Sequence, residues 1–94
     1  MKKKVKITVV EIQGGGKCPL GHKIGDTFIY EGWPISNLCA AAFNILYPMI
    51  RVLSNGGSIP WETEHPYKTR LCCYDPNNPV VFELERMEEE YSYW

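Results

Sequence analysis

Residues 38–53 constrain this chain more than any other segment. The run from Leu38 to Leu53 is apolar over a length beyond that of ordinary strands, and Leu38, Ala42, Ile45, Met49 and Leu53 recur at helical spacing. Every other apolar segment is short and alternates with period two, as strands do. One helix and several strands in 94 residues leave room for one core. The chain therefore reads as a single domain, 1–94, of the α+β class. Cys39, Phe43, Leu46, Tyr47 and Ile50 make much of the remaining helix surface apolar, and one sheet covers one face. The excess predicts a subunit partner, and with it a homo-oligomer.

Val5 to Ile12 alternates and is rich in β-branched residues, so it reads as the first strand. Gly14-Gly15-Gly16 ends it, and Cys18-Pro19-Leu20-Gly21-His22 forms a loop. Thr27 to Tyr30 is a second, short strand. Ser36 is the expected N-cap of a helix that starts at Asn37 and runs to about Leu53, kinked or divided at Pro48 and stopped by Asn55-Gly56-Gly57. Ser58 to Pro66 is loop. Tyr67 to Cys73 is a third strand, with Thr69, Leu71 and Cys73 on one side and Lys68, Arg70 and Cys72 on the other. The Asp75-Pro76-Asn77-Asn78-Pro79 turn leads into a hairpin partner beginning at Val80, with Val80, Phe82 and Leu84 on one side. The tail from Met87 to Trp94 extends that strand or forms a helical turn. The order is β-β-α-β-β: one principal helix on a small, mainly antiparallel four-stranded sheet, with a partly closed barrel as the alternative.

Ten Lys+Arg against eleven Asp+Glu give a formal net charge of −1, which removes the electrostatic basis for generic binding to nucleic acid or an anionic membrane. The charge is nevertheless uneven. Lysines crowd residues 1–23 and glutamates residues 82–94, so the two ends attract each other, as solvated faces or as neighbouring edge strands. Met1-Lys2-Lys3-Lys4 is followed by no apolar run of export length, and Leu38 to Leu53 falls short of the roughly 20 residues of a bilayer span. The expected location is the cytoplasm. Cysteines there are kept reduced, and this chain has four.

Cys18 and His22 stand four apart in a Pro/Gly loop that can turn thiolate and imidazole toward one point, as zinc, iron or copper sites require. With Ser36 as N-cap, Cys39 falls at the third helical position, where the helix dipole favours a thiolate. Cys72 and Cys73 are neighbours on a strand and face opposite ways, and Cys73 is the inward one. Cys18, His22, Cys39 and Cys73 together supply three sulfurs and one nitrogen, a set suited to zinc or to an iron–sulfur cluster with one histidine ligand. Such a centre would also staple a domain whose core is thin. The same residues allow a thiol-dependent redox enzyme, with Cys39 or Cys18 as nucleophile, His22 as base and another cysteine resolving. A third reading makes the cysteines packing residues of an oligomerising interaction module. His65 beside Glu62 and Glu64 reads as an exposed polar loop, with an acid–base or hard-metal cluster as the sharper alternative. Trp33, Trp61, Trp94 and the tyrosines are anchors for a core, interface or pocket. Gly14-Gly15-Gly16-Lys17 has neither the spacing nor the following helix of a phosphate-binding loop.

The string Cys18-Pro19-Leu20-Gly21-His22-Lys23-Ile24-Gly25-Asp26 resembles the Cys-Pro-x-Gly-His-x-x-Gly-Asp signature of a family of small uncharacterised prokaryotic proteins of about this length. Asn37 to Phe43, Tyr47-Pro48, Gly56 to Glu62 and Asp75 to Leu84 are similar to its later blocks, so the resemblance covers almost the whole chain. Where that family has Cys-Pro-Asp-Pro, this chain has Cys73-Tyr74-Asp75-Pro76, with Tyr74 in place of proline and Cys72 as an additional thiol. The resemblance selects Cys73 over Cys72 and brings no activity with it.

Overall fold

The computed structural model of the chain describes residues 2–92. Its elements follow the expected order: β1 (Lys2–Ile12), β2 (Thr27–Tyr30), α1 (Ala40–Ser54), β3 (Lys68–Cys72) and β4 (Val80–Tyr91). The strands form one antiparallel sheet in the order β2-β1-β4-β3, and α1 lies on one of its faces. The sheet is open. A partly closed barrel does not form, because the edge strands β2 and β3 have only four and five residues and do not pair with each other.

Period-two alternation sorts the two long central strands. Val5, Ile7 and Val9 of β1, with Val80, Phe82 and Leu84 of β4, are buried under the helix. The opposite face carries charges in register, Lys6 across from Glu85 and Arg70 across from Glu83. Register shifts between Lys3 and Val5 and between Val9 and Glu11 mark bulges in the central pair.

The helix starts three residues later than Ser36 capping implies. Ser36 and Asn37 lie in a turn, Leu38 N–H donates to the Ile35 carbonyl at 3.3 Å, and Cys39 is the N-cap. Leu38 is buried in the core, and this pulls the backbone off a helical path before residue 40. The buried stripe is Ala42, Leu46, Ile50 and Leu53, so Ile45 and Met49 are flanking positions rather than its centre. Pro48 does not divide the helix. Both Pro48 and Asn44 are exposed, so the Asn44 carbonyl that loses its donor is on the solvent side. A Schellman cap ends the helix: Gly56, at φ 91°, donates to Leu53 and Gly57 donates to Val52. Phe43, Ile45, Tyr47 and Met49 pack against the chain's own core, which absorbs most of the helix's apolar excess. Among the described residues, no helix is long and apolar enough to cross a membrane.

The tail extends β4 to Tyr91, whose hydroxyl pairs with buried Ser54 at 2.7 Å. Tyr93 and Trp94 lie outside the described residues. The basic beginning and the acidic end meet as neighbouring central strands, not edge strands, with Lys3–Glu90 at 3.4 Å and Lys4–Glu89 at 3.7 Å. Lys4 also reaches Glu31 at 3.2 Å, and this hydrogen-bonded pair, more than Glu89, holds its amine pKa above 10.5. The charged amine is favoured in the fold, so its contribution is fully present at neutral pH and is lost as pH rises through the elevated value. Stability should fall slightly when salt is raised at pH 7, and Lys4→Met should reduce that salt sensitivity, as read from denaturant midpoints.

Candidate thiol site

The loop after β1 is tied to the β3–β4 turn by backbone. Gln13 N–H donates to the Pro79 carbonyl at 2.8 Å and Gly15 N–H to the Asn77 carbonyl at 3.2 Å. Gly14 has φ 64°, and a Cβ there would stand 1.9 Å from the Asn77 oxygen, so only glycine permits this approach. The turn holds its own shape: Asp75 Oδ1 accepts from the amides of Asn77 and Asn78 at 2.9 and 3.2 Å. Cys73 N–H donates to Val80, and Val80 N–H donates back to Cys73 Sγ at 3.3 Å. In the facing loop, Gly21 N–H closes a turn onto the Cys18 carbonyl at 3.0 Å.

A second tie fixes Cys39. His22 is buried, its ring edge-on to Phe28 and Phe82 at centroid distances of 5.5 and 6.1 Å, and its Nε2 accepts the Cys39 N–H at 3.1 Å. An accepting Nε2 assigns the ring proton to Nδ1. The Cys39 side chain makes no capping hydrogen bond, so its sulfur is not committed to the helix amides.

These ties bring together three of the expected site residues. Cys18, Cys39 and Cys73 line one cavity of about 250 Å³, completed mainly by apolar groups of Pro19, Leu20, Ala41 and Val80. His22 is not in that lining; with Cys18 it borders a neighbouring cavity that Lys17, Lys23 and Ile24 complete. Cys72 is exposed, and its thiol turns to the Cys73 carbonyl at 3.5 Å. All four cysteines are free. Among the described residues, no group of three or more His, Cys, Asp and Glu side chains is placed to hold a metal ion. Tyr74, the departure from the resembling family, accepts a hydrogen bond from the Asn44 amide at 3.0 Å and so links the turn to α1.

Elsewhere, His65 borders a polar cleft whose carboxylates are engaged, Glu62 by the Thr69 hydroxyl at 2.9 Å and Glu83 by Arg70 at 3.3 Å. Trp33 and Trp61 are exposed, so neither anchors the core. Sequence reasoning placed the thiols but missed the His22–Cys39 and Val80–Cys73 bonds. Both join positions distant in sequence through a backbone donor, which leaves no pattern in residue types.

Comparison with known proteins finds no family model, no curated protein and no solved structure that matches the chain. The resemblance of residues 18–26 and the later blocks rests on those residues alone.

His22→Ala leaves the Cys39 amide without its acceptor and should cost about 1–3 kcal/mol in denaturant unfolding, with faster hydrogen exchange at that amide. Gly14→Ala should cost more than about 1 kcal/mol, because it meets backbone and demands a left-handed residue. If Gly14→Ala proves neutral, the loop and the turn do not depend on this close approach.

Proposed function

We propose that the thiolates of Cys18, Cys39 and Cys73 hold an iron–sulfur cluster in a small cytoplasmic carrier or redox protein. The observation that carries this reading is the shared cavity: cysteines from a loop, a helix N-cap and the end of a strand line one mainly apolar space. Val80 donates its N–H to Cys73 Sγ, and the first-turn amides of α1 lie next to Cys39. N–H donors to sulfur are among the levers that set a cluster's potential. Zinc, with bonds of about 2.3 Å to each sulfur, would need its ligands to close on one point, and the described residues hold no such group. A cluster is a larger body and meets sulfurs spread around a cavity wall.

Protein purified without oxygen should carry several equivalents of iron with matching sulfide and absorb in the visible. Cys39→Ala should lose both, and Cys72→Ser should keep them, because Cys72 is on the other face of the sheet. One equivalent of zinc without iron would replace the cluster with a zinc site. Absence of metal, together with unchanged thiol reactivity in Cys39→Ala, would leave an interaction module with packed cysteines.

The thiol-redox reading is favoured by one observation, the uncommitted Cys39 sulfur at a helix N-terminus beside other thiols. It requires a disulfide among Cys18, Cys39 and Cys73 after mild oxidation, which peptide mapping detects. Homo-oligomerisation is also proposed. Exposed Leu20, Ile24 and Trp33 support it better than α1 does, and sedimentation that shows only monomer would end it.

A further inference from the structure

We infer that the cavity beside His22, in the loop between β1 and β2, binds a small organic carboxylate with an apolar body. The inference stands apart from the thiol site and needs no metal. This cavity, of about 380 Å³, has Ile12, Lys17, His22, Lys23 and Ile24 in its lining. The fold leaves its donors unused. His22 is only 9% exposed, and because its Nε2 accepts the Cys39 N–H, the ring proton is on Nδ1. Among the described residues no group accepts that proton, and Nδ1 is not sealed from solvent. A donor held in so buried a ring is costly to leave unmet, so the position calls for a partner from outside the chain.

Charge at the cavity has one sign. Lys17 and Lys23 form no ion pair among the described residues, whereas Lys3, Lys4, Lys68 and Arg70 are each matched with a glutamate. No carboxylate lines the cavity, so the two ammonium groups are not cancelled there. His22 also borders a polar cleft with Asp26, Thr27 and Asn37, but the Asp26 charge disfavours an anion on that side. Asp26 Oδ2 is in addition taken by the Lys23 backbone N–H at 2.9 Å. Two ammonium groups and an N–H donor select an anion, and a carboxylate can take the imidazole proton at one oxygen and a lysine at the other. The remaining walls select its body. Ile12 packs against the core and Ile24 is 65% exposed, so hydrocarbon covers surface here that a bare phosphate would leave wet. Binding has a consequence at a distance: an acceptor on Nδ1–H polarises the ring and strengthens Nε2 as the acceptor of the Cys39 amide.

The test is titration of the full chain with benzoate, followed by amide NMR, with inorganic phosphate as the comparison. Benzoate should saturate one site, shift the amides of residues 16–24 and slow hydrogen exchange at the Cys39 amide. Lys17→Gln with Lys23→Gln, both exposed positions, should bind benzoate about tenfold more weakly or worse at an unchanged denaturant midpoint. Absence of saturation overturns the inference, and so does undiminished affinity in the double variant. Shifts centred on Thr27 and Asn37 would move the site to the neighbouring cleft and overturn it as well. Phosphate binding as tightly as benzoate would remove the apolar body, and unchanged exchange at Cys39 would remove His22. Either result overturns the site as described.

Discussion

The pairing of the chain's two ends is the constraint on which the rest of the structure depends. β1 and β4 are the first and last strands, yet they are the central neighbours of the sheet, with Ile7 opposite Leu84 and Val9 opposite Phe82. Their inward residues supply most of the surface that α1 covers. This contact is about as non-local as the chain allows, so its loop-closure entropy must be met before the core rewards it. Opposite charge assists: Lys3 and Lys4 meet Glu90 and Glu89 across the pair. Such exposed pairs are individually weak, so they select register more than they supply stability.

The site follows from that pairing. Once β1 lies beside β4, the loop leaving β1 must run past the turn entering β4, and Gln13–Pro79 and Gly15–Asn77 close the gap. Cys18 and Cys73 are brought to one end of the sheet by backbone, without attraction between thiols. Cys39 arrives by a separate route. The core takes Leu38, His22 takes the next amide, and the helix starts immediately after. One histidine therefore joins the Cys18 loop to the start of α1, which makes the relative placement of two thiols depend on a single acceptor.

The fold was legible because period two and period 3.6 are properties of residue types. β2 was read at its observed ends, and the inward side of β3 followed from alternation, which also set Cys72 apart from Cys73. The helix start was misread because a serine in a capping position is a local signal, and the burial of Leu38 with the His22 bond is a tertiary one. The stripe on α1 was misphased for a similar reason. Residues 38–53 are apolar on most sides, so periodicity alone did not choose between Ile45 and Leu46 as the buried position. The candidate site was legible as a list of thiols and not as a geometry, since the bonds that place them come from backbone groups of Cys39 and Val80.

A centre on Cys18, His22, Cys39 and Cys73 was expected also to staple a thin core, and the packing argues otherwise. Tyr30, Ile7, Leu46, Ile50, Leu53 and Phe82 are almost wholly buried, and the Ser54–Tyr91 hydrogen bond lies inside the same core. The backbone carrying each site thiol is held by bonds that involve no metal: Gly21 to Cys18, Cys39 to His22, and Cys73 to Val80. In metal-nucleated domains the free energy of folding is that of ligation, and without the metal the ligands scatter. Here the thiols are gathered by the fold, around space that the core does not use. Preorganisation of that kind contributes little to stability, because the domain already has it. It would matter for a centre that is loaded or changes redox state while its surroundings stay fixed, which is the use proposed for these cysteines.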